Sequence, residues 1–420
     1  MQVRTMKSTF TFAHRPALAA ALAACAVLAS AGSALAAEKQ PTVSPKVQKQ
    51  LHDAQEALKA KKYQDAIAKL SEADGVSGKT AYDQHVINEF LANAYINTQN
   101  YAEAAKRLEA EVDDGFTPDS EKPQTVRAIT EINYQQKNYD KAIEFGTRAI
   151  KQGYANEQTR VVVSQAYYLK GDWKGTLKFV DPMVDTQIKA GETPKKDILL
   201  LAYSACQKLH DDGCVTHEME KLVTYYPQPD YWAQLLYSIR QQTSGNEANL
   251  LQTYRLMSDV DVLQSPDDYS EMASLAMEQG SAGEAQHILE KALAKNIFTE
   301  QRVRERNQRL LESAKKQASA DQATLGKQEQ DANAAPTGQK NYAVGLAYLG
   351  YGQYDKAVDQ LSKSLSKGSL KNEAQAQLLL GIAELKAGHK DDAVKSFHAV
   401  KGDPSLERLA SLWSLRAKQA

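Results

Sequence analysis

From residue 46 to about 400 the chain repeats one arrangement of apolar and polar positions. A stripe at helical spacing carries a small residue at its centre, a short polar or Gly-bearing turn follows, and a second stripe opens on an aromatic side chain. "YAVGLAYLGYGQYDKAVDQL" at 342–361 shows it plainly, and "LANAYINTQNYAEAAKRL" at 91–108 is a softer copy. Aligned on the small residue of the first helix, the positions are Ala54, Ala92, Thr130, Ser164, Ala202, Leu236, Ala273, Gly345 and Gly381. All but one of the spacings lie between 34 and 38; the interval from Ala273 to Gly345 is twice that and implies one unit without the motif. Second-helix partners are Ala66, Ala104, Ala142, Thr176, Ala285, Ala357 and Ala393. Three residues before several of them stand Tyr63, Tyr101, Tyr139, Trp173 and Tyr354.

Two antiparallel helices approach closely only where side chains are small, so Gly or Ala at the crossing admits the partner helix and the aromatic and a large aliphatic fill the flanks. One hairpin cannot bury its apolar face alone and must stack on the next. The pattern resembles the tetratricopeptide repeat, most closely through Val344, Gly345, Tyr348, Ala357, Leu361 and Leu365, then through Leu380, Gly381, Gly388, Ala393, Phe397 and Val400. The resemblance covers about 46–400 and implies an all-α fold, a right-handed solenoid of stacked hairpins. Thr130, Ser164 and Leu236 depart from the small first-helix residue, and Gly146 sits where a large one is usual.

The ends add a compartment. Residues 1–15 carry Arg4, Lys7 and Arg15 and no acid, 16–36 are small and apolar, and Ala34-Leu35-Ala36 fits a cleavage site. This reads as a signal peptide over 1–36, cleaved near Ala36, with export to the periplasm. Leu22-Ala23-Ala24-Cys25 offers the competing reading of a lipid anchor on Cys25. Removing 1–36 takes the formal net charge from −1 to −4, which argues against nucleic acid as a partner. No later run is apolar enough to span a membrane. The remaining organisation is a tail over 37–43, an array of about seven hairpins over 44–298, a degenerate repeat or polar linker over 299–338, and a C-terminal repeat pair with a capping helix over 339–415. Within the break, Leu310, Leu311 and Ala314 predict a helix to about 319, then a weak second helix or linker to about 338. A hinge there and a continuous superhelix both fit.

Catalytic patterns are missing, so the reading is not an enzyme, with no cofactor and no metal. "GVSGKT" at 75–80 has Ala73 where a phosphate-binding loop requires glycine and no strand before it. "HEME" at 217–220 is followed by Lys221 instead of a second histidine. Cys206 lies on an apolar helical stripe and Cys214 opens the next helix beyond "HDDG". A structural disulfide between them is expected in an exported protein, against two packed free thiols.

What remains is surface. Positions one and four after the small residue of each first helix are expected to face the groove of the stack. They include Asn93, Glu131, Tyr134, Gln165, Tyr168, Tyr203, Cys206, Tyr237 and Arg240. Tyrosines recur there about one repeat apart, as recognition residues or as filling between helices. Arg127 and Arg240 are candidates to hold a peptide carboxylate. Three stretches, "AQEALKAKKYQDAIAKL", "PQPDYWAQLL" and "LLLGIAELKAGHKDDAVKSFHAVKGDPS", resemble exported tetratricopeptide proteins of Gram-negative bacteria. That group is often encoded beside TonB, ExbB and ExbD. The resemblance implies a non-catalytic periplasmic scaffold binding a protein or peptide, accessory to a TonB-type transport complex. The alternative is an adaptor for peptidoglycan or exported-polysaccharide synthesis.

Overall fold

The computed structural model describes residues 41–243 and 245–420. Residues 1–36, read as a signal peptide, with Cys25 among them, and most of the 37–43 tail lie outside the described residues. All regular structure among the described residues is helical. The chain forms two compact units, divided at Asp211 and Asp212.

The first unit holds α1 (Gln48–Lys59), α2 (Tyr63–Asp74), α3 (Ala81–Asn97), α4 (Tyr101–Val112), α5 (Lys122–Gln135), α6 (Tyr139–Lys151), α7 (Glu157–Lys170), α8 (Trp173–Lys189) and α9 (Lys196–Leu209). Tyr63, Tyr101, Tyr139 and Trp173 are each the first residue of a second helix. A residue with left-handed backbone stands two places before each: Lys61, Gln99, Lys137 and Gly171. That residue reverses the chain, the next one caps, and the aromatic begins the return helix. Asn100 and Asp172 supply side-chain caps in this position.

Stacking shares the core as the pattern requires. Ala54, Ala66, Leu70, Ile87 and Leu91 form one buried cluster across α1, α2 and α3. Ala92, on another side of α3, joins Ala104, Leu108, Ile129 and Phe145 in the next. The departures at Thr130 and Gly146 compensate one another. A Cβ on Gly146 would meet Val163 at 2.2 Å and the Thr130 methyl at 3.0 Å. The small residue has moved from the first helix of this hairpin to the second, and the crossing still closes.

The second unit holds α10 (Asp212–Tyr225), α11 (Pro229–Thr243), α12 (Glu247–Asp259), α13 (Pro266–Glu278), α14 (Ala282–Ala294), α15 (Gln301–Ala334), α16 (Gln339–Gly350), α17 (Tyr354–Lys367), α18 (Glu373–Lys386), α19 (Lys390–His398) and α20 (Pro404–Gln419). Gly345 and Gly381 behave as the pattern demands: a Cβ would strike Leu361 at 2.7 Å and Phe397 at 2.5 Å.

The break over 299–338 is neither a hairpin nor a linker. It is one helix of 34 residues, about 50 Å long at 1.5 Å per residue. Its Gln, Ala, Lys and Glu are strong helix formers, and no proline interrupts them. Asn307, Leu311, Ala314, Ala318, Leu325 and Ala332 are its buried residues. α15 packs on α14 and α16, while α14 also meets α16 directly. Gly283 and Gly350 permit that close approach.

The second unit also closes on itself. Arg408 of α20 donates to Glu220 at 2.6 Å and to Gln242 at 3.0 Å. Arg416 and Lys386 both hold Asp259. Asn249 donates to Asp403 at 3.1 Å, and Gln419 to the Val223 carbonyl at 3.0 Å.

Candidate functional site

The first-helix face of the first unit forms because α1 meets α3, α5 meets α7, and α7 meets α9. Asn93, Arg127, Glu131, Tyr134, Gln165, Tyr168 and Tyr203 are all half-buried. Each of them is engaged within the chain. Tyr134 of α5 donates to Gln165 of α7 at 2.9 Å, and the Tyr168 hydroxyl pairs with Ser204 of α9 at 2.6 Å. These tyrosines tie successive first helices together while leaving part of each ring in solvent. Tyr168 also rests edge-on against Trp173, the ring that opens α8, with centroids 4.9 Å apart. Tyr203 accepts from Gln207 on its own helix at 2.7 Å. Asn97 donates to the Asn93 carbonyl at 2.8 Å. Arg127 donates to the Tyr154 carbonyl at 2.8 Å. Burial pushes the Glu131 carboxyl up, and Arg127 partly draws it back. Cys206, placed on this face by the sequence pattern, is fully buried. Cys206 and Cys214 are both disulfide-bonded.

In the second unit Tyr237 and Arg240 converge on one acid. Tyr237 donates to Asp268 at 2.5 Å, and Arg240 donates to the other carboxylate oxygen of Asp268. Burial and that carboxylate push the Tyr237 phenol up to about 12. Arg240 also reaches the Tyr254 hydroxyl at 3.3 Å, and Tyr254 donates to Glu271 at 2.5 Å. The arginine expected to catch a partner's carboxylate already carries one from its own chain.

The same unit encloses a cavity of about 710 Å³. Arg255, Asp259, Asp261, Lys291, Tyr351, Lys386 and Trp413 line it, with others. Its charges are largely neutralised in pairs: Arg255 with Glu284, Lys291 with Asp261, and Lys386 with Asp259.

A further group escaped the sequence reading because its members come from three elements. His85 and Glu89 stand one turn apart on α3, and Glu89 is one turn before Asn93. Glu111 is the last residue but one of α4, Asp114 and Phe116 lie in the following connection, and Glu121 is the residue before α5. The His85 Nδ1 lies 2.9 Å from Asp114. Burial pushes the Glu111 carboxyl up to about 8, helped by Glu89, Asp114 and Glu121. Burial also raises Glu89, against the opposing field of His85. The available signal was the Glu89–Asn93 spacing and the acid-rich "EAEVDDGF".

"GVSGKT" has a structural use. Lys79 donates to the Asp74 carbonyl at 2.6 Å, beyond the end of α2. Thr80 caps α3 in a reciprocal pair with Asp83. Asp83 also takes the backbone N–H and hydroxyl of Ser44, both at 2.7 Å. Burial opposes ionisation of Asp83, and hydrogen bonds from Ser44 and Thr80 outweigh it. Among the described residues no three metal-capable side chains come together, and no helix is long and apolar enough to cross a membrane.

Known proteins resemble this chain in sequence profile and in structure. The family model of the tetratricopeptide repeat matches residues 91–156 and 342–406. No curated protein matches the chain. Among solved structures it is similar to one of Naa15/Naa10 bound to HypK-THB, at 15% identity and a TM-score of 0.39. That match covers 87% of this chain and spans 61% of the other. A tetratricopeptide repeat protein from Parabacteroides merdae matches at 13% identity and a TM-score of 0.29, covering 71% of this chain and 98% of that one. The tetratricopeptide domain of P58(IPK) matches at 12% identity and 0.23, covering 89% and 98%. At such scores these likenesses carry no argument. The profile match falls on α3–α6 and on α16–α19, where the helix starts, left-handed turns and glycine crossings are clearest, so residues 91–156 and 342–406 are similar to tetratricopeptide repeats.

Proposed function

We propose that the protein is an exported, non-catalytic scaffold that binds a protein or peptide along the first-helix face of its first unit. Tetratricopeptide arrays generally offer extended binding surfaces of this kind. One observation carries the reading: Glu131, Tyr134, Gln165, Tyr168 and Tyr203 form a half-exposed row across α5, α7 and α9. Inter-repeat hydrogen bonds hold the Tyr134 and Tyr168 rings in place, so little side-chain entropy is left to lose on binding. The second unit contributes less, since its equivalent Tyr237 and Arg240 are engaged with Asp268.

The leader-like residues 1–36 support a periplasmic location. The resemblance of three stretches to exported proteins encoded beside TonB, ExbB and ExbD supports an accessory role in such a transport complex. In-cell crosslinking followed by mass spectrometry tests both parts. Wild-type protein is expected to capture envelope partners that a Tyr168→Ala, Tyr203→Ala variant loses. Unchanged partners with the variant move the site away from this face. Recovery of cell-wall synthases without TonB components replaces the transport role with an assembly role.

A further inference from the structure

The acidic group on α3 and the α4–α5 connection lacks its counter-charge. Glu111 is 6% exposed, and its Oε2 has no hydrogen-bond partner. That oxygen belongs to a carboxyl within the fields of Glu89, Asp114 and Glu121. Neighbouring cations are taken: Arg107 sits on Asp74 at 2.9 Å, Lys122 on Asp119 at 2.7 Å, and Arg148 on Asp113 at 2.5 Å. His85 opposes the acids, through Asp114. Aromatic rings wall the same place. Tyr82 stacks on His85 at 5.9 Å between centroids, and Phe116 meets Tyr82 edge-on at 5.5 Å. Both Tyr82 and Phe116 are half-buried.

A buried carboxylate oxygen without a partner is costly. Aromatic faces beside acids are the surroundings that favour an ammonium or guanidinium group. We propose that Tyr82, His85, Glu89, Glu111, Phe116 and Glu121 form a seat for a lysine or arginine side chain of the partner. The inference deepens the scaffold reading and rests on it: Glu89 lies one turn before Asn93, so the seat is at the α3 end of the proposed binding face. A segment running along α5, α7 and α9 would anchor its basic residue there. The partner is therefore basic at one end of its bound stretch, and the attraction is screened by salt.

The test uses the mature full chain and a fluorescent, end-blocked octapeptide of alternating alanine and lysine, read by polarisation. A glutamine-for-lysine peptide is the comparison probe. Wild type is expected to bind the lysine probe and not the glutamine probe. Glu89→Gln with Glu121→Gln is expected to weaken binding about tenfold or more, as loss of two charge contacts would. Phe116→Leu, which keeps bulk and removes the ring, is expected to weaken it about threefold. Neutralising two distant acids, Glu72→Gln with Glu103→Gln, is expected to leave it unchanged. Equal binding by the Glu89→Gln, Glu121→Gln variant, or equal loss with the distant pair, overturns the seat. The scaffold reading fails separately, through the crosslinking of Tyr168→Ala, Tyr203→Ala. Circular dichroism of each variant establishes folding, and removing like charges from one cluster is not expected to unfold it.

Discussion

Glu89, Glu111 and Glu131 in the first unit and Asp259 and Asp268 in the second are all withdrawn from water, yet they titrate in opposite directions. Burial raises the three glutamates, and no hydrogen bond from a cation brings them back. Burial also opposes ionisation of Asp259, but Lys386 and Arg416 outweigh it and hold the carboxyl below its usual range. Asp268 is held low in the same way by Tyr237, Ser265 and Arg240. Glu384 is an exception in the second unit, raised by burial. These acids of the first unit are left without a cation's hydrogen bond. A face whose acids are matched internally is built to hold itself together, as α20 does on α10, α11 and α12.

The largest test of self-closure is Gly338→Ala. A Cβ there would lie 1.9 Å from the Ser364 carbonyl oxygen, a backbone atom that cannot step aside. The expected cost is about 3 kcal/mol. Chemical denaturation would measure it, and hydrogen exchange should rise in α16–α20. If exchange rises in α10–α12 as well, closure is cooperative across the second unit.

Next is Asp259→Ala, which removes the acid under Lys386 and Arg416. Both cations stay about a third exposed and can rehydrate, so the expected loss is about 2 kcal/mol, below that for stranding a fully buried charge. The sign with pH follows from the lowered folded-state value. Stability from Asp259 is present above the unfolded carboxylate range, near pH 4, and is lost as pH falls through its lower folded value. The variant should therefore show a flatter acid limb than wild type.

The first unit should respond in the opposite sense. The folded-state value of Glu111 is raised to about 8. Its contribution is fully present below the unfolded value and is lost as pH rises towards the folded one. Glu111→Gln mimics the protonated acid. It should flatten the decline between about pH 5 and 8 and stabilise the first unit by about 1–2 kcal/mol at the alkaline end. Thermal melts at both ends of that window would check it, and identical pH slopes would remove the contrast between the units.

The smallest effect concerns turns. Inside three of its hairpins the first unit puts Lys61, Gln99 and Lys137 in left-handed backbone, and only the fourth has a glycine, Gly171, whereas the second unit has Gly280, Gly352 and Gly388. A side chain in that region costs free energy that glycine avoids, partly offset by glycine's greater freedom when unfolded. Gln99→Gly or Lys137→Gly should therefore stabilise by about 0.5–1 kcal/mol each in denaturation.

Much of this was written in local order along the chain. Tyr63, Tyr101, Tyr139, Trp173 and Tyr354 each mark a helix start because the turn, the cap and the aromatic are consecutive residues. Gly345 and Gly381 mark crossings because only a small residue admits the neighbouring helix. α15 departs from the helix to about 319 and the weak second helix or linker that its sequence predicts, because it continues unbroken to Ala334. Its helix formers and one narrow buried stripe suffice when α14 and α16 flank it.

Sequence by itself determined the paired helices of most repeats, their turns and their sharing of cores, since these depend on residues within one or two repeats. Tertiary structure alone decided which charges meet. Arg416 finds Asp259 across 157 residues, and Arg408 finds Glu220 across 188. Glu111, with no such visitor, is left unpaired beside Glu89. Periodicity sets which way a side chain points, but the partner at the far end of an ion pair depends on how the stack turns, a sum of small rotations that no single repeat contains.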